Sequence, residues 1–406
     1  MSMKIKATIL VSSFAVLVFF VVGSMGGVHA SSNDGSYRQI QVYSEVLSRV
    51  QQEYVEEPNI PKVTDGALHG LVESLDSNSS YMTADAYKAY KAHKAEGKAG
   101  IGAVISKRFG YADVVSVLPG SPAEKAGIEQ TDIFESIEGT STHDMSLPEI
   151  RNALVGAPGS TLNVAVVRRH GGAEPQKMSI TREIVNIPAV SDKEMEDGIG
   201  YVKAETLTHG KAQEIAAKVK SLEHSGAKKI LLDLRNCAEG DENEGVATAN
   251  LFLNHGTITY LQGQKFPREA FNADPSKAIT SLPLAVLVNR GTSGAAEIVA
   301  AAILENARGD VVGDKTFGDG SVQKTLDLPD GGVLILSVAK YYSPSGKVIQ
   351  DAAVTPNVLV ADEDDSAVSD DDGDGSTAPD AQQEKPKNQV DDQLNKAVEV
   401  LKSRNS

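Results

Sequence analysis

The fold of this chain is constrained most strongly by one stretch of sequence. There, an apolar strand pattern is followed directly by a glycine-rich turn and an alanine-rich helix pattern. The strand pattern covers 282–290 (LPLAVLVNR), and the helix pattern covers 295–306. Upstream, a helix pattern at 211–226 precedes a second apolar strand pattern at 228–236. Uninterrupted apolar strands are typical of sheets that are buried on both faces. Alternation of such strands with helices predicts an α/β region with an at least partly parallel sheet over 188–360.

Residues 99–187 differ, because short β-rich runs alternate there with turn signals. The segment 120–128 (GSPAEKAGI) predicts a short helix that starts at Ser-Pro and ends at a glycine. Together with Gly-Ile-Gly at 100–102 and a following Asp-Ile pair, this order resembles a PDZ domain. Thr131 departs from the resemblance, since such domains usually place glycine before the Asp.

The resemblance to PDZ domains gives Gly100, Ile101, Gly102 and Ala103 a peptide-binding role. Glycines let consecutive backbone N–H groups point in one direction, as binding of a C-terminal carboxylate requires. The adjacent strand edge can then pair with the peptide. The expected partners are protein C-termini or unfolded polypeptide. The simpler interpretation is that these glycines only form a tight turn.

The first thirty residues predict a secretory signal peptide. Lys4 and Lys6 precede an apolar run at 7–22, and the segment ends in small residues around Ala30. We therefore expect an exported protein, periplasmic or in the cell envelope. The run is short for a span of about 20 residues. A membrane association would follow only if the segment stays uncleaved.

Residues 31–98 predict a helical segment. The amphipathic pattern at 36–57 is expected to end at Pro58 and Pro61, with a second helix from about Thr64. The polar stretch 74–82 (SLDSNSSYM) predicts a turn before a third helix.

The C-terminal region predicts an acidic disordered linker at 361–390 and a closing helix at 391–406. The net charge of −16 and the lack of a basic stripe exclude nucleic-acid binding. The run 370–375 matches only half of a calcium loop, since Ala381 occupies its last ligand position. No histidines have metal-ligand spacing, so we expect no metal and no cofactor.

Residues 289–323 resemble the active-site segment of the carboxyl-terminal processing peptidases, or tail-specific proteases. In that family a Gly-Ser-Ala-Ser-Ala-Ser-Glu run carries the serine nucleophile. A Thr-Phe-Gly-Lys-Gly-x-Val-Gln run carries the lysine general base. Aligned without a gap, the nucleophile position holds Gly294 and the base position holds Asp319, 25 residues later.

Other positions of the family pattern are partly retained. Gln323 stands at the family's active-site glutamine, Ala295 still offers the oxyanion amide, and Glu297 follows in the first turn of the helix. Residues 237–239 are Cys-Ala-Glu, where the family has Asn-Pro-Gly. A carboxylate at an oxyanion site opposes the developing negative charge. Cys237 is the only cysteine, which excludes an intramolecular disulfide and favours a small buried side chain.

The resemblance covers nearly the whole chain after the first thirty residues. It implies a multi-domain α/β (α+β) fold: a helical N-terminal segment, a sandwich-like or barrel-like PDZ domain and an α/β peptidase core. The predicted domains are a signal peptide at 1–30, a helical segment at 31–98, a PDZ domain at 99–187, the core at 188–360, the acidic linker at 361–390 and the closing helix at 391–406. The family resemblance also implies a homodimer.

Loss of nucleophile, base and oxyanion turn together predicts a pseudopeptidase that binds polypeptide as an adaptor or regulator. The alternative is an active serine-type endopeptidase that uses a relocated hydroxyl such as Ser293, with Lys315 as the nearest candidate base. A third interpretation is a structural partner in an envelope complex, whose binding would ignore a C-terminal carboxylate.

Overall fold

The computed structural model describes residues 34–96, 98–108, 110–168, 174–361 and 391–404. The predicted signal peptide at 1–30 and nearly all of the acidic linker therefore lie outside the described residues. The chain divides into two compact units, one ending at Ala67 and the other beginning at Leu68.

Helices of the described residues follow the sequence pattern closely. They are α1 (Asp34–Glu53), α2 (Ile60–Glu73), α3 (Ala84–Glu96), α4 (Pro122–Lys125), α5 (Leu147–Leu154), α6 (Lys211–Ser225), α7 (Glu242–Asn250), α8 (Ala295–Glu305) and α9 (Asp392–Ser403). The expected start of the second helix near Thr64 is wrong. Helix α2 begins at Ile60, because Pro61 fits the first turn, where its missing N–H costs nothing. Among these described helices, none has the length and apolar character needed to cross a membrane.

The PDZ domain is a curled antiparallel sheet closed by α4 and α5. Its strands are β2 (Ala103–Arg108), β3 (Tyr111–Val117), β4 (Ile133–Ile137), β5 (Thr140–Ser141), β6 (Thr161–Val167) and β7 (Gln176–Thr181), and β1 (Ser80–Met82) precedes them in the chain. The order is β2-β3-β4-β6-β7, so β2 is an edge strand. The predicted N-cap at Ser121 is confirmed, since its side chain accepts from the Glu124 N–H.

The core contains a six-stranded sheet whose order is β19-β16-β15-β11-β9-β8. The remaining strands of the chain are β8 (Ser191–Met195), β9 (Ile199–Lys203), β10 (Thr206–Leu207), β11 (Lys229–Asp233), β12 (Glu239–Gly240), β13 (Thr257–Gln262), β14 (Glu269–Asn272), β15 (Leu284–Val288), β16 (Asp310–Gly313), β17 (Ser321–Asp327), β18 (Val333–Tyr342) and β19 (Val358–Leu359). All pairs in the sheet are parallel except β8 with β9. The predicted partly parallel sheet is confirmed.

Helices cover both faces of this sheet. Ile230 and Leu232 of β11 pack in the cluster that includes side chains of α6, α7 and α8. Leu231, between them, packs in the cluster that includes Ala397 and Leu401 of α9. Successive side chains of a strand point to opposite faces, so a fully apolar strand needs this cover on both sides.

A second, antiparallel sheet is built around β18, which pairs with β1, β13 and β17. Here the prediction of a turn over 74–82 was incomplete. Ser80, Tyr81 and Met82 form strand β1 because they pair with Ile335, Leu334 and Val333, which lie far away in the sequence. This sheet places β17, which begins two residues after Asp319, beside the N-terminal part of the second unit.

Candidate active site

Gly294 lies at the sharp turn between β15 and α8. Its φ of 59° and ψ of −117° belong to a backbone region that L side chains rarely adopt. A Cβ built on Gly294 would meet no heavy atom within 4 Å. The turn therefore leaves space for a side chain at position 294, although its positive φ would strain any residue other than glycine. Ala295 begins the helix, and its N–H donates to no backbone carbonyl in the described residues.

Hydrogen bonds tie this turn to the one that follows β11. The Asn289 side-chain oxygen accepts from the Asn236 N–H at 2.9 Å and from the Gly291 N–H at 3.0 Å. The Thr292 hydroxyl donates to the Leu234 carbonyl at 2.8 Å. The positions of the nucleophile turn and of the oxyanion turn are therefore fixed relative to each other.

Glu297 joins the nucleophile turn to the base turn. Its Oε2 accepts from the Gly294 N–H at 3.0 Å and from the Asp319 N–H at 2.8 Å. Its Oε1 accepts from the Gly318 N–H at 2.8 Å and from the Thr316 hydroxyl. The backbone N–H groups at the two predicted dyad positions, Gly294 and Asp319, thus donate to the same carboxylate.

The carboxyl group of Glu297 is completely buried. Burial raises its pKa to about 8, although the hydrogen bonds from Thr316, Asp319, Gly294 and Gly318 lower it. Retention of this residue therefore has a structural reason that does not depend on catalysis.

The predicted dyad positions and the PDZ loop line one cavity of about 460 Å³. The sequence-predicted residues that line it are Gly100, Ile101, Gly102, Ala103, Gly294, Asp319 and Gln323. The sequence patterns place these residues in two separate domains and do not predict that they line one cavity. A cavity of this size falls within the range of ordinary ligand pockets.

Close packing defines the PDZ side of the cavity. Gly102 has a φ of 74°, and a Cβ there would lie 2.4 Å from the Ser121 Cβ, so only glycine fits. The N–H groups of Ile101 and Gly102 donate to no backbone carbonyl among the described residues. These amides remain available to an acceptor that enters from the cavity.

Charged groups surround Asp319 at the base position. Burial raises the pKa of Asp319, while the charge of Arg151 and a hydrogen bond from Asn78 lower it. Burial also raises the pKa of Glu242, and the Asp319 charge raises it further. Burial likewise raises the pKa of Glu239. Arg151 lines the same cavity and is exposed to solvent.

Several of these residues were not predicted as site residues. Arg151 lies on α5 of the PDZ domain, and no local signal in the sequence connects it to Asp319. Glu242 begins α7, where an acidic residue is ordinary. Asn78 donates to the Ser321 hydroxyl at 3.0 Å across 243 residues of sequence. Only the tertiary structure brings them to the cavity.

Ser293 and Lys315, the residues of the alternative dyad, have different surroundings in this structure. Ser293 is buried beside Gly294, and its N–H donates to the Cys237 carbonyl at 3.0 Å. Lys315 lines a different cavity, of about 1010 Å³, together with Thr131 of the PDZ domain. Cys237 is 1% exposed, and burial raises the pKa of its thiol. This confirms the expected small buried side chain.

Comparison with known proteins agrees with this geometry. A model of peptidase family S41 matches residues 198–360, and a PDZ domain model matches 114–168. The carboxy-terminal processing protease CtpA of Bacillus subtilis is 30% identical over 349 residues, which cover 85% of this chain and 74% of the relative. A carboxy-terminal-processing protease of Bartonella bacilliformis is 29% identical over 358 residues, which cover 85% of this chain and 82% of the relative.

The fold is similar to that of a solved photosystem II D1 C-terminal processing protease. The TM-score is 0.66 at 25% identity, with 79% of this chain and 92% of the solved chain covered. The two family models together span most of the PDZ domain and the part of the core that contains the turn at Gly294. The chain belongs to peptidase family S41, as a PDZ-containing member of the carboxyl-terminal processing protease group.

Proposed function

We propose that this protein is a non-catalytic member of its family that binds protein C-termini or unfolded segments. It then acts as an adaptor or regulator rather than as a peptidase. The single observation that carries the proposal is the pair of residues at the dyad positions. Gly294 offers no hydroxyl at the nucleophile turn, and Asp319 offers a carboxyl where the family uses an amine.

The chemistry of acyl transfer supports the inactive interpretation. A nucleophile needs a hydroxyl or thiol and an adjacent base within hydrogen-bond reach. Glu239 and Glu242 add carboxylates to the same cavity, where they oppose the negative charge that an oxyanion would develop. The backbone turns persist because Glu297 and the side chain of Asn289 hold them without help from the missing residues.

Peptide binding is supported by features that catalysis does not require. The edge strand β2 and the unpaired amides of Ile101 and Gly102 face the cavity. An extended peptide can add to such an edge while its terminal carboxylate accepts from the loop. We also propose export through the N-terminal segment and assembly as a homodimer. N-terminal sequencing and the sedimentation mass of the secreted protein test these two points.

The decisive experiment is a peptidase assay on an unstructured protein substrate. We expect no cleavage by the native chain, and a gain on the order of 10²–10⁴-fold over background for the Gly294→Ser, Asp319→Lys double reversion. The single reversions serve as matched controls, because each restores only half of the dyad.

Cleavage by the native chain would contradict the proposal. Activity that survives Gly294→Ala but disappears in Ser293→Ala would instead establish the alternative, a peptidase with a relocated hydroxyl. Binding to a peptide that is unaffected by amidation of its C-terminus would favour the structural partner of an envelope complex.

A further inference from the structure

The two walls of the 460 Å³ cavity carry opposite electrostatic character. The PDZ wall presents the amides of Ile101 and Gly102 together with Arg151 of α5. The Arg151 Nε donates to the Ile105 carbonyl at 3.2 Å, and within the described residues its terminal nitrogens form no ion pair shorter than 4 Å. This wall suits an anion, such as a terminal carboxylate.

The core wall presents three carboxyl groups, those of Glu239, Glu242 and Asp319. None of the three forms an ion pair with a Lys or Arg of the described residues at 4 Å or less. Asp319 keeps only the hydrogen bond from Asn78 and the more distant charge of Arg151. Three carboxyl groups and one guanidinium line the cavity, so acidic groups outnumber basic ones there.

A metal ion does not account for this wall. Among the described residues, no three His, Cys, Asp or Glu side chains converge to hold one. Gly294 lines the same cavity, and a Cβ built there would meet no heavy atom within 4 Å. A long, flexible cationic side chain fits such a space better than a compact ion, since its charge can reach one carboxylate while its stem packs along the wall.

Resting on the proposed function, we infer that the cavity selects polypeptide ligands with a Lys or Arg upstream of the C-terminal carboxylate. The carboxylate binds the PDZ wall, and the basic side chain extends past Gly294 toward Asp319 and Glu242. Asp319 is then a specificity-determining residue, because it places a negative charge where the peptidases of this family hold a lysine. The same position would repel a basic ligand in those relatives.

The test uses the full protein and fluorescent ten-residue peptides in an anisotropy titration. The peptides differ at one position, which is Lys, Ala or Glu and is moved in turn through the four residues before the C-terminus. Each is made with a free and with an amidated C-terminus. Asp319→Asn, which keeps the size of the side chain, is compared with Asp144→Asn, an exposed PDZ carboxylate outside the cavity.

At one upstream position, we expect the Lys peptide to bind about tenfold tighter than the Glu peptide at low salt. The preference should fall to about threefold or less in Asp319→Asn, stay unchanged in Asp144→Asn, and weaken as salt rises. Thermal unfolding of both variants shows whether they are folded.

Equal affinity for Lys and Glu peptides at every position would overturn the inference, and so would a Lys preference that Asp319→Asn leaves intact. Either result leaves the proposed function standing if the free carboxylate still matters. Loss of the difference between free and amidated peptides refutes the carboxylate site instead, so the two failures are distinguishable.

Discussion

Replacement of Glu297 by Gln tests how much the hydrogen bonds of this buried carboxyl group stabilise the turns at Gly294 and Gly318. The protonated carboxyl can donate from Oε1 to the Thr316 hydroxyl oxygen, which also accepts from the Val354 N–H at 2.8 Å, and Oε1 still accepts from the Gly318 N–H. A Gln amide nitrogen at that place has no lone pair, so the Gly318 N–H loses its acceptor. We expect a loss of about 1–3 kcal/mol in the free energy of unfolding at pH 5.

The effect of pH has a definite sign. Burial raises the pKa of Glu297 from 4.5 to about 8, so the folded protein holds this proton more tightly than the unfolded chain. The native protein therefore has its full stability from this group below pH 4.5 and loses it progressively as pH rises through about 8. This difference in pKa between the unfolded and the folded protein corresponds to at most about 4–5 kcal/mol of stabilisation. Gln does not titrate, so the deficit of Glu297→Gln should shrink between pH 5 and pH 9.

Urea unfolding of the native protein and the variant at pH 5, 7 and 9 measures this difference. Glu57→Gln, at an exposed position, is the matched control and should leave the difference near zero at each pH. A deficit of Glu297→Gln that grows with pH would show that the surrounding donors keep the carboxylate ionised. That outcome would refute burial as the dominant effect on Glu297.

Three further outcomes follow from the contacts. The Gly294→Ser variant should fold, because a Cβ at this position has free space. Its positive φ should lower the free energy of unfolding by about 1–3 kcal/mol. A much larger fall in thermal stability would reveal a clash. Arg182→Met should destabilise the PDZ domain by about 2–4 kcal/mol in urea unfolding, because the 7%-exposed Arg182 donates to three carbonyls and a hydroxyl; an unchanged midpoint contradicts this. Asp391→Ala removes both hydrogen bonds to Arg235, at 2.8 and 3.0 Å, so amide exchange in α9 should accelerate about tenfold or more. Unchanged exchange would show that the other contacts of α9 hold the helix without this ion pair.

Local patterns were sufficient to predict the elements with a strong apolar or capping signal. The apolar run at β15 must be buried on both faces, so it required helices on each side, and the cap residues around α4 required a short helix there. Strand β1 could not be predicted in this way. Its three residues are too few to show a strand pattern, and they become extended because β18 supplies the hydrogen-bond partners.

Some features of the candidate site could likewise be predicted from the sequence, and others could not. A gap-free match of motif spacing predicts that Gly294 and Asp319 stand at the dyad positions, since covalent spacing along the chain carries that information, and this assignment stays a prediction. The role of Glu297 as the link between the two turns needed coordinates, because the donors at Gly318 and Asp319 are 21 and 22 residues away from it.

The sequence by itself determined that position 294 has no side chain and that position 319 carries a carboxyl group, because a side chain that is not encoded cannot be supplied by folding. Only the tertiary structure decided what surrounds the empty position. The PDZ loop, Arg151 and the carboxyl groups of Glu239 and Glu242 come from distant parts of the chain. Electrostatic interactions depend on distance through space and on enclosure from water, and neither can be read from the order of residues.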